Sequence, residues 1–174
     1  MRGNGSWLSP GRRNERVLMT SSKSITRSAP SSVQATTIVS SLLTVQTPGR
    51  GFTDLTGEVA KFINEAHARD GALTLFIRHT SASLTIQENA DPSVLVDLTT
   101  ALSRLAPESV PWTHDTEGPD DMPAHVKTML TQTSLQVPVL GGKLALGTWQ
   151  AIYLVEHRAR PHRREVVLQF IGGN

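Results

Sequence analysis

The sequence predicts one α+β domain behind a basic tail, and three observations carry that prediction. Strand-like segments outnumber helix-like ones. Three of them close the chain in succession, which favours antiparallel pairing. The helical segments fall unevenly between the strands, unlike the regular alternation of a doubly wound sheet. The 174 residues suffice to bury a core without disulfide or metal staples.

Residues 1–33 are rich in Ser, Arg, Gly and Asn and offer no apolar period to bury, so a disordered tail is expected. Six basic residues there face one acid, Glu15, a net of +5. The whole chain is +2, so residues 34–174 carry −3. The pI of about 9.4 therefore reflects the tail. A phosphate-tracking groove on the folded body is not predicted, and nucleic-acid contact is expected only through the tail. No apolar run is long enough for a signal segment or a membrane span. The Arg and Ser bias resembles a transit peptide, but no amphipathic helix accompanies it. A dispensable extension, with Met19 as the functional start, is the preferred reading. Cysteine is absent, which removes disulfides, thiolate metal sites and a cysteine nucleophile and fits a cytoplasmic protein.

The folded body is expected over 34–174. Ala35–Thr47 reads as a strand ending at the turn Pro48-Gly49. Asp54 is a helix cap, Leu55, Val59, Phe62, Ile63 and Ala66 keep helical spacing, and Gly71 stops that helix near Ala68. Ala72–Arg78 and Ser83–Glu88 alternate as strands. Asp91-Pro92 opens a second helix with a stripe of Val94, Leu95, Leu98, Leu102 and Leu105. A polar loop spans Pro107–Pro123, and Ala124–Leu130 reads as a short third helix. Strands at Ser134–Leu140, Lys143–Glu156 and Arg164–Ile171 finish the chain, the first two joined by a Gly141-Gly142 hairpin turn.

Four clusters carry chemistry. In the first, a strand ends at His79 and the chain offers Thr80, Ser81 and Ser83, a hydroxyl-rich junction suited to an anion. Glu88, Asn89 and Asp91 follow, as oxygen ligands for a cation or, for Asp91, as a helix cap. The second runs from Trp112 to His125 and concentrates His114, His125 and four acids, Asp121 among them. Three neutral imidazoles, His79, His114 and His125, would make an open zinc-type site if they converge. General acid–base roles are the alternative.

The third cluster is Gly147-Thr148-Trp149-Gln150, in which Trp149 either fills the core or stacks on a flat substrate ring. The fourth, Glu156–Arg164, holds four arginines, read either as phosphate ligands or as an exposed basic hairpin tip, with Glu156 the stronger site residue. His67 is read as ordinary helix surface.

In order, His79-Thr80-Ser81-Ala82-Ser83-Leu84-Thr85-Ile86, Glu88-Asn89-Ala90-Asp91-Pro92, His114, Glu117 to His125 and Leu146-Gly147-Thr148-Trp149-Gln150 resemble the YjbQ family, also called secondary thiamine-phosphate synthases. The resemblance covers residues 35–172. It implies a compact α+β fold, a largely antiparallel sandwich with two to three helices, assembled as a homotrimer. It also implies a weak transferase activity that joins hydroxymethylpyrimidine pyrophosphate to thiazole phosphate and releases pyrophosphate. Such enzymes usually need magnesium.

Carried over by position, His79, His114 and His125 match the family's histidines, and Asp121 stands where relatives carry Asn or Asp. With Glu156 these form the expected catalytic set. Thr80, Ser81, Ser83, Glu88, Asn89, Lys127, Trp149, Gln150 and Arg158 form the expected substrate-binding set. The expected cofactor is a divalent metal, Mg2+ with the substrate or a Zn2+-type ion at the histidines, with no organic cofactor. The expected partner is a small phosphorylated metabolite. Two alternatives stand beside the synthase: a metal-dependent hydrolase with a three-histidine site, and a phosphometabolite-binding protein without turnover. The basic tail has no family counterpart.

Overall fold

Inward-facing apolar residues at every second position build two antiparallel sheets, seen in a computed structural model that describes residues 25–173. Most of the basic tail, with Met19, lies outside the described residues, and residues 25–36 carry no helix or strand. Ser32–Asn174 is one compact unit. Its larger sheet has the order β1-β8-β3-β5-β6, from β1 (Thr37–Thr47), β8 (His162–Gly173), β3 (Asp70–Ile77), β5 (Ser134–Leu140) and β6 (Lys143–Leu144). The smaller sheet has the order β2-β7-β4, from β2 (Gly51–Asp54), β7 (Gln150–Glu156) and β4 (Ala82–Glu88). Leu73, Leu75 and Ile77 of β3, Leu135, Val137 and Val139 of β5, and Val166, Leu168 and Phe170 of β8 face inward and meet Leu84, Ile152 and Leu154 in one core.

Among the described residues, three helices complete the α+β fold. In α1 (Thr56–Glu65), Val59, Phe62 and Ile63 are buried. Asp54 accepts from the Thr56 N–H at 2.8 Å, one residue before the helix boundary. The helix stops at Glu65, earlier than the sequence predicts, because His67 enters the left-handed region at φ 51°. Gly71 is not its stop signal. It sits inside β3 opposite Gly172 of β8, where a Cβ would lie 2.3 Å from the Ile171 carbonyl oxygen.

Asp91 caps α2 (Pro92–Leu105) as expected, accepting from Ser93 N–H at 2.8 Å. The helix is only half buried, and Leu105 is exposed. Helix α3 (Asp121–Leu130) begins three residues earlier than predicted, with Pro123 in its first turn, where a missing N–H costs nothing. The single strand predicted over Lys143–Glu156 is two: β6 closes the large sheet, and β7 crosses to the centre of the small one.

Candidate functional site

Helix α3 places Asp121 and His125 four residues apart, on one face. Upstream, the loop turns at Gly118 (φ 110°), where Gly118 N–H donates to Asp115 O and Asp121 N–H donates to Gly118 O. That turn brings His114 over the start of the helix. His114 Nε2 lies 2.8 Å and His125 Nε2 3.6 Å from Asp121 Oδ2, and the ring centroids are 5.6 Å apart. One ligand atom from each of the three residues falls within 4.8 Å of the others. Asp121 is buried, His125 is half buried and His114 is exposed, so the group opens on one side.

This group corrects the expected three-imidazole convergence: its third member is Asp121, and His79 stands outside it. His79 faces His125 across an open groove lined also by Thr80, Thr128, Met129, Thr131 and Thr133. The Ser81 N–H donates to His79 Nδ1 at 3.1 Å, so the neutral ring carries its proton on Nε2. Burial, aided by the Arg164 charge, lowers the pKa of His79 and favours that neutral form.

The arginine cluster divides: Arg160 and Arg163 are exposed around the β7–β8 turn, as a basic hairpin tip would be, while Arg158 and Arg164 are engaged within the protein. Arg158 donates to Asp121 Oδ1, to Asp120 Oδ2 at 3.2 Å and to the Glu117 carbonyl at 2.8 Å. Its donors hold the start of α3 and are not presented to a phosphate. Burial would raise the Asp120 carboxyl, but the Ala159 N–H and Arg158 outweigh that and hold it low. Arg164 is fully buried and bidentate to Glu156, at 2.7 and 2.6 Å.

Glu156 also accepts from Thr47 Oγ1 at 2.9 Å and Arg158 N–H at 3.0 Å. These contacts outweigh burial and keep its pKa below the ordinary carboxylate value. Glu156 is thus a buried anchor behind the groove and not one of its walls. Arg164 Nη2 reaches Ser81 Oγ at 3.2 Å, and that hydroxyl lies 3.1 Å from His79 Nδ1, so the anchor orients His79.

The other expected substrate residues scatter. Thr80 lines the groove. Ser81 and Ser83 are buried, and Ser83 Oγ pairs with His157 Nε2 at 2.9 Å. Lys127 is buried on the other side, in a small recess with Arg50, Glu156 and His157. Burial and the Arg50 charge lower its pKa. Burial, with the Lys127 charge, takes His157 down to about 4.

Glu88, Asn89, Trp149 and Gln150 lie at the far end of the small sheet. The pairing runs from Ala82↔Glu156 to Glu88↔Gln150, a separation of about 20 Å along the strands. Trp149 is 64% exposed there, neither core nor beside the histidines. The aromatic that shares a recess with His114 is Trp112, which the sequence reading did not select. Its position two residues before His114 was the available signal.

A two-layer antiparallel α+β domain with a two-imidazole, one-carboxylate group beside a hydroxyl-lined groove defines the class. The family model described as "UPF0047 protein YjbQ-like" matches residues 41–173. The chain belongs to the YjbQ (UPF0047) family. It is 46% identical over 132 residues to a UPF0047 protein of Synechocystis sp., covering 75% of this chain and 90% of that one. It is 40% identical over 131 residues to UPF0047 protein YjbQ of Salmonella typhimurium, covering 75% and 95%. Among solved structures it is similar to a hypothetical protein of Aeropyrum pernix, with a TM-score of 0.72 at 30% identity, covering 78% and 99%. A YjbQ/UPF0047 family protein of Clostridium acetobutylicum gives a TM-score of 0.68 at 36% identity, covering 76% and 99%.

Proposed function

We propose that the chain is a metal-assisted enzyme acting on a small phosphorylated metabolite, with His114, Asp121 and His125 as the ligands of one divalent ion. The convergence of these three donors carries the reading, because two imidazoles and one carboxylate with open positions suit a Zn2+-type ion better than Mg2+. A divalent ion bound there supplies charge stabilisation to a phosphate or pyrophosphate oxygen. Arg158 positions Asp121 Oδ1 and leaves Oδ2 toward the imidazoles. His79, neutral with Nε2–H free, is a donor for a leaving oxygen, and Thr80 adds a hydroxyl. Trp112 borders a flat ring.

The reaction proposed is the transfer implied by the family resemblance. The methylene carbon–oxygen bond of hydroxymethylpyrimidine pyrophosphate breaks, pyrophosphate leaves with the bonding pair, and the thiazole nitrogen forms the new bond. Pyrophosphate release that requires both substrates supports this reading. The exposed side of the His114 ring also favours a second reading, hydrolysis by an activated water. Phosphate or pyrophosphate release from one substrate alone would establish that instead. Binding without release of either would leave a phosphometabolite-binding protein and end both enzyme readings.

The homotrimer is proposed with it. The outer face of the large sheet carries two apolar rows, Leu42–Val167–Phe76 and Ile38–Ile171–Ala72–Pro138, and Ile38, Leu42, Phe76 and Ile171 are exposed. An apolar sheet face of this kind supports burial against another copy. Light scattering on the full chain tests it, with three chain masses expected.

A further inference from the structure

A recess larger than the groove at the histidines lies elsewhere on the molecule. It opens beside the start of β3, while His79 follows the end of that strand, so the two lie about 25 Å apart. Its volume is about 720 Å3, within the range of small-molecule pockets. Ala60 and Ile63 of α1 form an apolar wall, and Leu144 and Leu146 form the wall opposite.

The rim is cationic. Arg69 and Lys143 line it with His67, and no carboxylate does. Among the described residues neither Arg69 nor Lys143 takes part in an ion pair. Asp70, next to Arg69 in sequence, turns its Oδ1 to the Gly141 N–H at 2.9 Å.

The rim is also fixed in place. Gly142 N–H donates to the Arg69 carbonyl at 2.7 Å, which ties the β5–β6 turn to the start of β3. Gly141 and Gly142 hold left-handed φ values of 55° and 79° to make that turn. His67, at φ 51°, is the one non-glycine residue with positive φ among the described residues. Such a conformation persists only where the surroundings over-determine it. Here His67 N–H donates to Asn64 O at 3.1 Å and Ala68 N–H to Ile63 O at 3.1 Å.

We propose that this recess is a second ligand site, for a small organic anion whose phosphate or carboxylate meets Arg69, Lys143 and His67 while its apolar body lies between the Ala60–Ile63 and Leu144–Leu146 walls. It is independent of the metal-centre reading.

The test is a titration of the isotope-labelled full chain, followed through backbone amide shifts, with phenyl phosphate, inorganic phosphate and benzyl alcohol as probes. Phenyl phosphate is expected to give saturable shifts at the amides of Asn64–Arg69 and Gly141–Leu144, and to bind at least about tenfold more tightly than either fragment. The double substitution Arg69→Gln, Lys143→Gln, at exposed positions, is expected to weaken it about tenfold or more. Ala60→Phe, which fills the cavity, is expected to abolish it, and His125→Ala to leave it unchanged. The proposal is overturned by the absence of saturable shifts at these amides, by equal affinity for benzyl alcohol, or by unaltered binding in both the double variant and Ala60→Phe. Shifts confined to the His79 and His125 groove would overturn it while leaving the first site intact.

Discussion

Asp121 serves two partners at once. One carboxylate oxygen takes the Arg158 guanidinium and the other faces two imidazoles, so its orientation is set from the side opposite the proposed ion. Replacing Arg158 with Met leaves Asp120 and Asp121 without their common partner. Unfolding in urea should show a loss of about 3 kcal/mol, the scale for breaking a buried pair. A second test uses His157. In the unfolded chain its ring gains a proton near pH 6.5, as a free imidazole does, and in the folded protein only near 4. Between those values the unfolded state binds the extra proton, so stability is present above pH 6.5 and falls as pH drops toward 4, by about 3 kcal/mol. His157→Gln should flatten the dependence of the urea midpoint on pH across that window.

Much of this site was visible in the residues. His114, Asp121 and His125 stood out as an imidazole-rich acidic loop. Their geometry did not, because the spacing predicts a helix that starts only at Ala124, and the start three positions earlier is what puts Asp121 and His125 on one face. Arg164 left a readable trace as well: it shares the inward register of Val166, Leu168 and Phe170, and a charge in that register calls for a buried partner.

At the scale of the elements, β3 and β8 approach at a pair of glycines. A methyl group at Gly71 would meet the Ile171 carbonyl and the Gly172 Cα, at 2.3 and 2.7 Å, and neither can move without shifting a strand. Gly71→Ala should cost about 1–3 kcal/mol or more, the scale of overpacking, read from thermal or urea unfolding. The strands were mostly legible from alternation, and Asp91-Pro92 marked the start of α2 correctly. Alternation could not tell which sheet a segment joins. Lys143–Glu156 read as one strand because Leu144 and Leu146 alternate into the run that begins at Ala151, yet β6 pairs with β5 and β7 with β2 and β4. The four-residue β2 is too short to carry a period, and the sequence predicts no strand there.

For the whole molecule, the small sheet separates motifs that the sequence had joined. The hydroxyl-rich turn after His79 lies at one end of β4, and Glu88, Asn89 and Trp149 lie at the other. A family resemblance names such residues together without saying how far apart the strands carry them. The fold itself resides in residues 32–174: relatives matched over 90–95% of their own length align with about 75% of this chain. No helix among the described residues is long and apolar enough to cross a membrane. Removing residues 1–31 should leave thermal stability unchanged, and any affinity for nucleic acid should vanish with them. A nucleic-acid affinity that survives the truncation would place that binding on the acidic body, against the charge distribution.

The central claim is that the ion-binding group comprises His114, Asp121 and His125 and not the three histidines. Calorimetric titration of the metal-stripped full chain with Zn2+ tests it most directly. One saturable site per chain is predicted, lost in His114→Ala, Asp121→Asn and His125→Ala and kept in His79→Ala. A chain that binds no Zn2+, or one that loses it with His79 and keeps it without Asp121, would contradict the account.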